Sequence, residues 1–156
     1  MLNRISCVKR SRLSGVKPFL IDVGVIGEVN IPINLSNDEV AGAGGSSIHS
    51  ILKNPTRQNA TPFLIAAAIK ILNELIVKGE VHSLIALGGS QGTTLYTQVI
   101  QALPYGFPKI ILSTIASGNT APFVDIKDRT MMFSGNTVAS TNIPLPLIIF
   151  RSINSR

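Results

Sequence analysis

Ala86-Leu-Gly-Gly-Ser-Gln-Gly-Thr-Thr94 is the stretch on which the fold turns. The apolar run Ser83 to Leu87 reads as a buried strand. Thr93 to Leu103 reads as a helix that Pro104 and Gly106 end. Strand, glycine-rich turn and helix in that order form an anion site on an α/β sheet. Glycines let backbone N–H groups approach a ligand, and the helix N-terminus adds partial positive charge. The candidate phosphate-binding residues are therefore Gly88, Gly89, Ser90, Gln91, Gly92, Thr93 and Thr94, with the hydroxyls of Ser90, Thr93 and Thr94 as extra donors. The loop lacks the lysine of a Walker A motif, and Leu87 stands where a dinucleotide fingerprint has its first glycine. A tight turn that binds nothing has the same spacing.

Downstream, Lys109 to Thr114 reads as a second strand, followed by another small-residue loop, Ser113-Thr-Ile-Ala-Ser-Gly118. Its candidates are Ser113, Thr114, Ser117 and Gly118. Thr130 to Phe133 reads as a further strand. Upstream, Phe19 to Val25 is a short β-branched run ending near Gly24. Ser36-Asn-Asp-Glu39 has the pattern of a capping box, opening a short helix that Gly42, Gly44 and Gly45 end. The stretch from there to Ala60 reads as irregular. Thr61-Pro62 predicts a helix start, with Thr61 as N-cap and Pro62 at the first helical position. That helix runs to about Lys78, with Gly79 just past its end. Strands alternating with helices imply a Rossmann-like parallel sheet with flanking helices, with ligands at the carboxyl ends of the strands. Both small-residue loops fall at such ends.

Composition narrows the function classes. Of the residues 45% are apolar, enough for a core in a 156-residue chain, while 14% are charged, which suits either a compact apolar domain or one with a buried partner face. The net charge of +6 is concentrated: Arg4, Lys9, Arg10, Arg12 and Lys17 all precede the first acid, Asp22. Residues 1–18 read as a basic tail, open to three readings: non-specific contact with phosphate backbones, a targeting peptide, or a stretch outside the domain. The tail lacks base-reading or stacking side chains, so no specific nucleic-acid partner is expected. No apolar run reaches the length of a membrane span. Cys7 is the single cysteine, which excludes an internal disulfide and makes the cytoplasm the expected compartment.

Chemistry is sparse. His49 and His82 have no cysteine or carboxylate at metal-ligand spacing. Gly88-Gly-Ser-Gln-Gly92 is formally a nucleophile-elbow string with Ser90 in the nucleophile's place, but no histidine follows His82 in the chain. A small-substrate hydrolase using Ser90 is thus the weakest reading. Asp125 and Asp128 could meet a magnesium ion beside the second loop, or simply solvate a turn. No general base stands near Gly88–Thr94, so binding without catalysis is expected.

Three motifs carry a resemblance: Leu87-Gly-Gly-Ser-Gln-Gly-Thr93, Ala102-Leu-Pro-Tyr-Gly-Phe-Pro-Lys109 and Ser113-Thr-Ile-Ala-Ser-Gly118. Together with Ile21-Asp-Val-Gly24, Glu39-Val-Ala41, Asp128 and Met131-Met-Phe-Ser134, they resemble the ATP-binding domain of the tomato mosaic virus resistance (Tm-type) family over residues 19–134. The resemblance implies an ATP-binding module, with or without Mg2+, that forms a homodimer or associates with a following barrel-like domain. It implies phosphate contacts at Gly89, Ser90, Gln91 and Gly92, where Gln91 replaces a glycine and narrows the pocket. It further implies a basic contact at Arg57, and Gly24 joins the pocket. That family opens with a first strand and a Gly-Thr-x-Asp-Thr-Lys type loop, which residues 1–18 lack. After Ser134 it has a Val-Val-Asp segment, where this chain has Gly135-Asn-Thr137. The expectation is an incomplete domain altered at both ends, from a truncated or misread gene. A structural fragment without a working site is the alternative to the ATP-binding module.

Overall fold

The computed structural model describes residue 9 and residues 15–23, 32–47, 57–124, 128–134 and 147–152. Five strands form one sheet: β1 (Val16–Ile21), β2 (Ser83–Gly88), β3 (Lys109–Ser113), β4 (Thr130–Phe133) and β5 (Leu147–Ser152). Their order is β1-β5-β2-β3-β4. β2, β3 and β4 are parallel, as the alternation of strands and helices predicts. β5 runs antiparallel to both of its neighbours, so β1 points the same way as β2. The protein is an α/β domain whose sheet is parallel except for one inserted strand.

β5 is the element the sequence reading did not anticipate. Leu147-Ile-Ile-Phe150 is a continuous apolar run of strand-forming residues. Ile148 and Ile149 are fully buried, one on each side of the sheet. β1 begins at Val16, inside the stretch read as a tail, and ends at Ile21. Strand β4 forms at the predicted residues, and β2 and β3 differ from prediction by one residue at the end.

Among the described residues, helices α1 (Asn37–Ala43), α2 (Arg57–Val77), α3 (Ser90–Gln101) and α4 (Ala121–Val124) accompany the sheet. Both halves of the capping box form: the Glu39 N–H donates to Ser36 Oγ at 3.3 Å, and Ser36 N–H donates to Glu39 Oε2 at 2.7 Å. The Ser36 backbone N–H and then its hydroxyl hold Glu39 below the ordinary carboxylate range. α2 starts at Arg57 rather than at Thr61, leaving Pro62 inside the helix. So close to the start, a proline forfeits one backbone hydrogen bond. Leu64, Ile65, Ala67, Ala68 and Leu72 form the buried stripe of the helix. At the far end Gly79 adopts φ +67°, its N–H donating to Ile76 O and that of Glu80 to Leu75 O, both at 2.9 Å. That is a left-handed glycine cap.

Side chains alternate across the strands with period two. Ile21, Leu84, Ala86, Ile111 and Ile149 face α2 and α3, meeting Leu64, Leu72, Tyr96, Val99 and Ile100 in the main core. Leu20, Leu87, Ile148 and Phe150 form a second cluster on the opposite face. Among the described residues no helix is long and apolar enough to cross a membrane.

Candidate functional site

The carboxyl ends of β2 and β3 lie side by side, with Gly88 paired to Ser113. The two small-residue loops therefore meet, and Thr114 N–H reaches Gly88 O at 3.4 Å. The first loop is shorter than expected. α3 begins at Ser90, so Ser90, Gln91, Gly92, Thr93 and Thr94 are its first residues, and the turn itself is Gly88-Gly89. With so short a turn, the helix packs back onto the end of its own strand.

The two glycines serve different ends. A Cβ on Gly88 would lie 2.9 Å from Gly92 C and from Thr93 N, so Gly88 is required by the close return of α3. Among the described residues, a Cβ on Gly89 would meet only Thr114 Oγ1 within 4 Å, at 3.9 Å. Gly89 is the N-cap of α3, in extended conformation, and supplies no side-chain cap. Thr93 N–H bonds to Gly89 O at 2.8 Å, whereas the N–H groups of Ser90, Gln91 and Gly92 precede the first possible intrahelical partner. No acidic residue sits in this first turn. The positive end of the helix thus faces the turn with no side-chain cap from Gly89 and no carboxylate in its own first turn.

The hydroxyls expected to meet phosphate divide into two groups. Thr93 and Ser113 are fully buried. Thr93 Oγ1 lies 2.7 Å from Gly89 O and 2.6 Å from Ser113 Oγ, and Ser113 Oγ also accepts the Ile115 N–H at 3.2 Å. Both hydroxyls sit beneath the site and are consumed by the scaffold. Thr94 and Ser117 are exposed, as is Gly118, and Thr114 is half-buried. Ser134, just past β4, joins the same edge: its N–H donates to Ser113 O at 3.0 Å, and its Oγ is buried without a hydrogen-bond partner. The sequence singled out Ser134 only as part of a resembling segment, since nothing local links it to Ser113, twenty-one positions upstream.

Gly24 lies outside the described residues. Arg57 opens α2, whose other end leads into β2, so the helix begins on the carboxyl side of the sheet. Asp128 is placed elsewhere. It accepts from Lys109 Nζ at 2.9 Å and from the Gly106 N–H, at the amino end of β3 and away from both loops. Asp125 and His49 lie outside the described residues. His82 precedes β2 at the amino end, so a six-residue strand, about 20 Å long, separates it from Ser90. That distance removes His82 as a base for a Ser90 nucleophile. Among the described residues, no three His, Cys, Asp or Glu gather to hold a metal.

Residues 5–154 match the model described as the uncharacterised protein family (UPF0261) N-terminal domain. A UPF0261 protein of Clostridium tetani is 38% identical over 128 residues, covering 82% of this chain and 32% of its own length. UPF0261 protein mlr3387 of Mesorhizobium japonicum is 34% identical over 122 residues, covering 78% and 30%. The chain spans about a third of the length of these relatives. The tomato (Solanum lycopersicum) ToMV susceptible protein tm-1(GCR26) is 34% identical over 89 residues, but this covers 52% of the chain and 12% of that protein. The assignment to a Tm-type domain with both ends altered is therefore corrected. The family match takes in most of the basic N-terminal segment and the whole of β5, and the tomato protein is a partial relative. On a match running from residue 5 to residue 154, the chain belongs to the uncharacterised family UPF0261, whose N-terminal domain it represents.

Proposed function

We propose that this domain binds the phosphate groups of a nucleotide, ATP being the first candidate, at the junction of β2, α3 and the loop after β3. The observation that supports this most is the N-terminus of α3 behind Gly89, which has no side-chain cap. A phosphate there would accept hydrogen bonds from the N–H groups of Ser90, Gln91 and Gly92, with Thr114, Ser117 and Gly118 on the facing loop. Thr94 borders the site. Arg57, the first residue of α2, is the cation assigned to the phosphate. The residues fit the phosphate part of the ligand. Mg2+, if it accompanies ATP, would be held through phosphate oxygens. The domain acts as a binding module rather than an enzyme.

For partners, the edge strand β4 supports self-association or docking to the rest of a longer family chain. It exposes Met132 (51%) and Phe133 (57%) and carries no charge from Thr130 to Ser134. An uncharged, apolar edge is a surface that proteins usually cover.

The test is calorimetry with ATP, with and without Mg2+, on wild type and Gly89→Asp. The substitution has room for its side chain, and its carboxylate would occupy the anion's place. Binding that Gly89→Asp abolishes supports the reading. A folded wild type that binds neither ATP nor inorganic phosphate overturns it.

A further inference from the structure

We infer that Thr93 and Ser113 are positioning residues that orient the phosphate-binding peptide and tie it to the second loop; this rests on the phosphate reading above. Each hydroxyl has one proton to give. Thr93 Oγ1 donates to Gly89 O at 2.7 Å, so the 2.6 Å contact between the two hydroxyls must be donated by Ser113. Ser113 Oγ in turn accepts from the Ile115 N–H at 3.2 Å. The result is a one-directional relay: Ile115 N–H to Ser113 hydroxyl, Ser113 to Thr93, Thr93 to the Gly89 carbonyl.

The end of that relay matters because a peptide is planar and trans. Gly89 O is held inward by two donors, the Thr93 hydroxyl and the Thr93 N–H at 2.8 Å. The Ser90 N–H belongs to the same peptide plane and points the opposite way, out of the helix end and into the site. The relay therefore sets the direction of a phosphate donor without contacting phosphate. Its other end, Ile115, lies within the facing loop. Ser113 also accepts from Ser134 through its carbonyl at 3.0 Å, so one residue joins the ends of β3 and β4 to the first turn of α3. Both side chains are buried, which keeps water from competing for the protons.

Thr93→Val keeps the shape and removes the proton; Thr93→Ser keeps the proton. Two quantities are read on the full chain: the Kd for ATP by calorimetry, and hydrogen exchange of the Ile115 amide without ligand. Thr93→Val is expected to weaken ATP binding about three- to tenfold, the worth of one net hydrogen bond, and to speed Ile115 exchange. Thr93→Ser is expected to restore both. Wild type binding ATP while Thr93→Val binds equally well overturns the positioning role and leaves the phosphate reading intact. Failure of Thr93→Ser to rescue also overturns it, in favour of packing alone. A folded wild type that binds no ATP overturns the phosphate reading, and the positioning role falls with it.

Discussion

The Lys109 ammonium nitrogen lies 2.9 Å from Asp128 Oδ1, with the lysine side chain 1% exposed and the aspartate 22% exposed. Lys109 Nζ also donates to Pro104 O at 2.8 Å, and the second Asp128 oxygen accepts the Gly106 N–H. Three contacts thus pin the Pro104–Phe107 turn, in which Gly106 takes φ +82°, against the residue that leads into β4. The hydrogen bond from Lys109, more than any other contact, holds the Asp128 carboxyl below its ordinary value near 3.8.

Asp128→Asn should lower the melting temperature at pH 7, because it leaves a buried ammonium without its counter-charge. The pH dependence has a definite sign. A carboxylate depressed in the folded state stabilises above its unfolded pKa, and that contribution is lost as pH falls through the folded value. The gap in melting temperature between wild type and Asp128→Asn should therefore be full at neutral pH and close below about pH 4. A gap that stays constant across an acid titration would show that the charge is not what Asp128 contributes.

The two adjacent glycines should respond in opposite ways. Gly88→Ala places a methyl 2.9 Å from α3 backbone. It should cost about 1–3 kcal/mol in urea denaturation, the usual penalty of overpacking. Gly89→Asp gains a side chain at an N-cap position where aspartate is favoured, so stability should hold or rise by about a few tenths of a kcal/mol. Loss of ATP binding in this variant then reports on the site and not on unfolding. Equal destabilisation by both substitutions would contradict the geometry of the turn.

Ile149→Ala should destabilise by about 2–5 kcal/mol, as for other fully buried isoleucines. Ile149 pairs with Phe19 on one side and Leu84 on the other, on an interior strand of the sheet. If β5 were a loosely attached end, the same substitution would shift the urea midpoint hardly at all.

Much of the scaffold was legible because its signals are local. Ser36 and Glu39 are three residues apart, and their reciprocal cap forms as the pattern predicts. The apolar run at Ser83 and the turn that follows likewise report β2 and α3 through short-range periodicity. The start of α2 was misplaced because Thr61-Pro62 has the chemistry of a helix start. The helix nevertheless begins one turn earlier, at Arg57, with Pro62 inside it. β5 was missed although Leu147 to Phe150 has strand character, because its placement depends on pairing with residues far away in sequence. Both small-residue loops were legible as turns after strands, but the burial of Thr93 and Ser113 beneath them was not. A hydroxyl's type shows in the sequence, and whether it faces solvent or the interior depends on contacts twenty residues apart.

The position of β5 also governs the order in which the molecule can be assembled. Val16 pairs with Ser152 and Ile21 with Leu147, so more than a hundred residues separate the partners that join edge strand β1 to the sheet. β2, β3 and β4 can associate as the ribosome delivers them, each next to its predecessor. β1, made first, must wait for the strand that joins it to them. Such long-range closure is slow. Until β5 has been made, β1 has, among the described residues, only the local pairing of Ile21 with Leu35 to hold it.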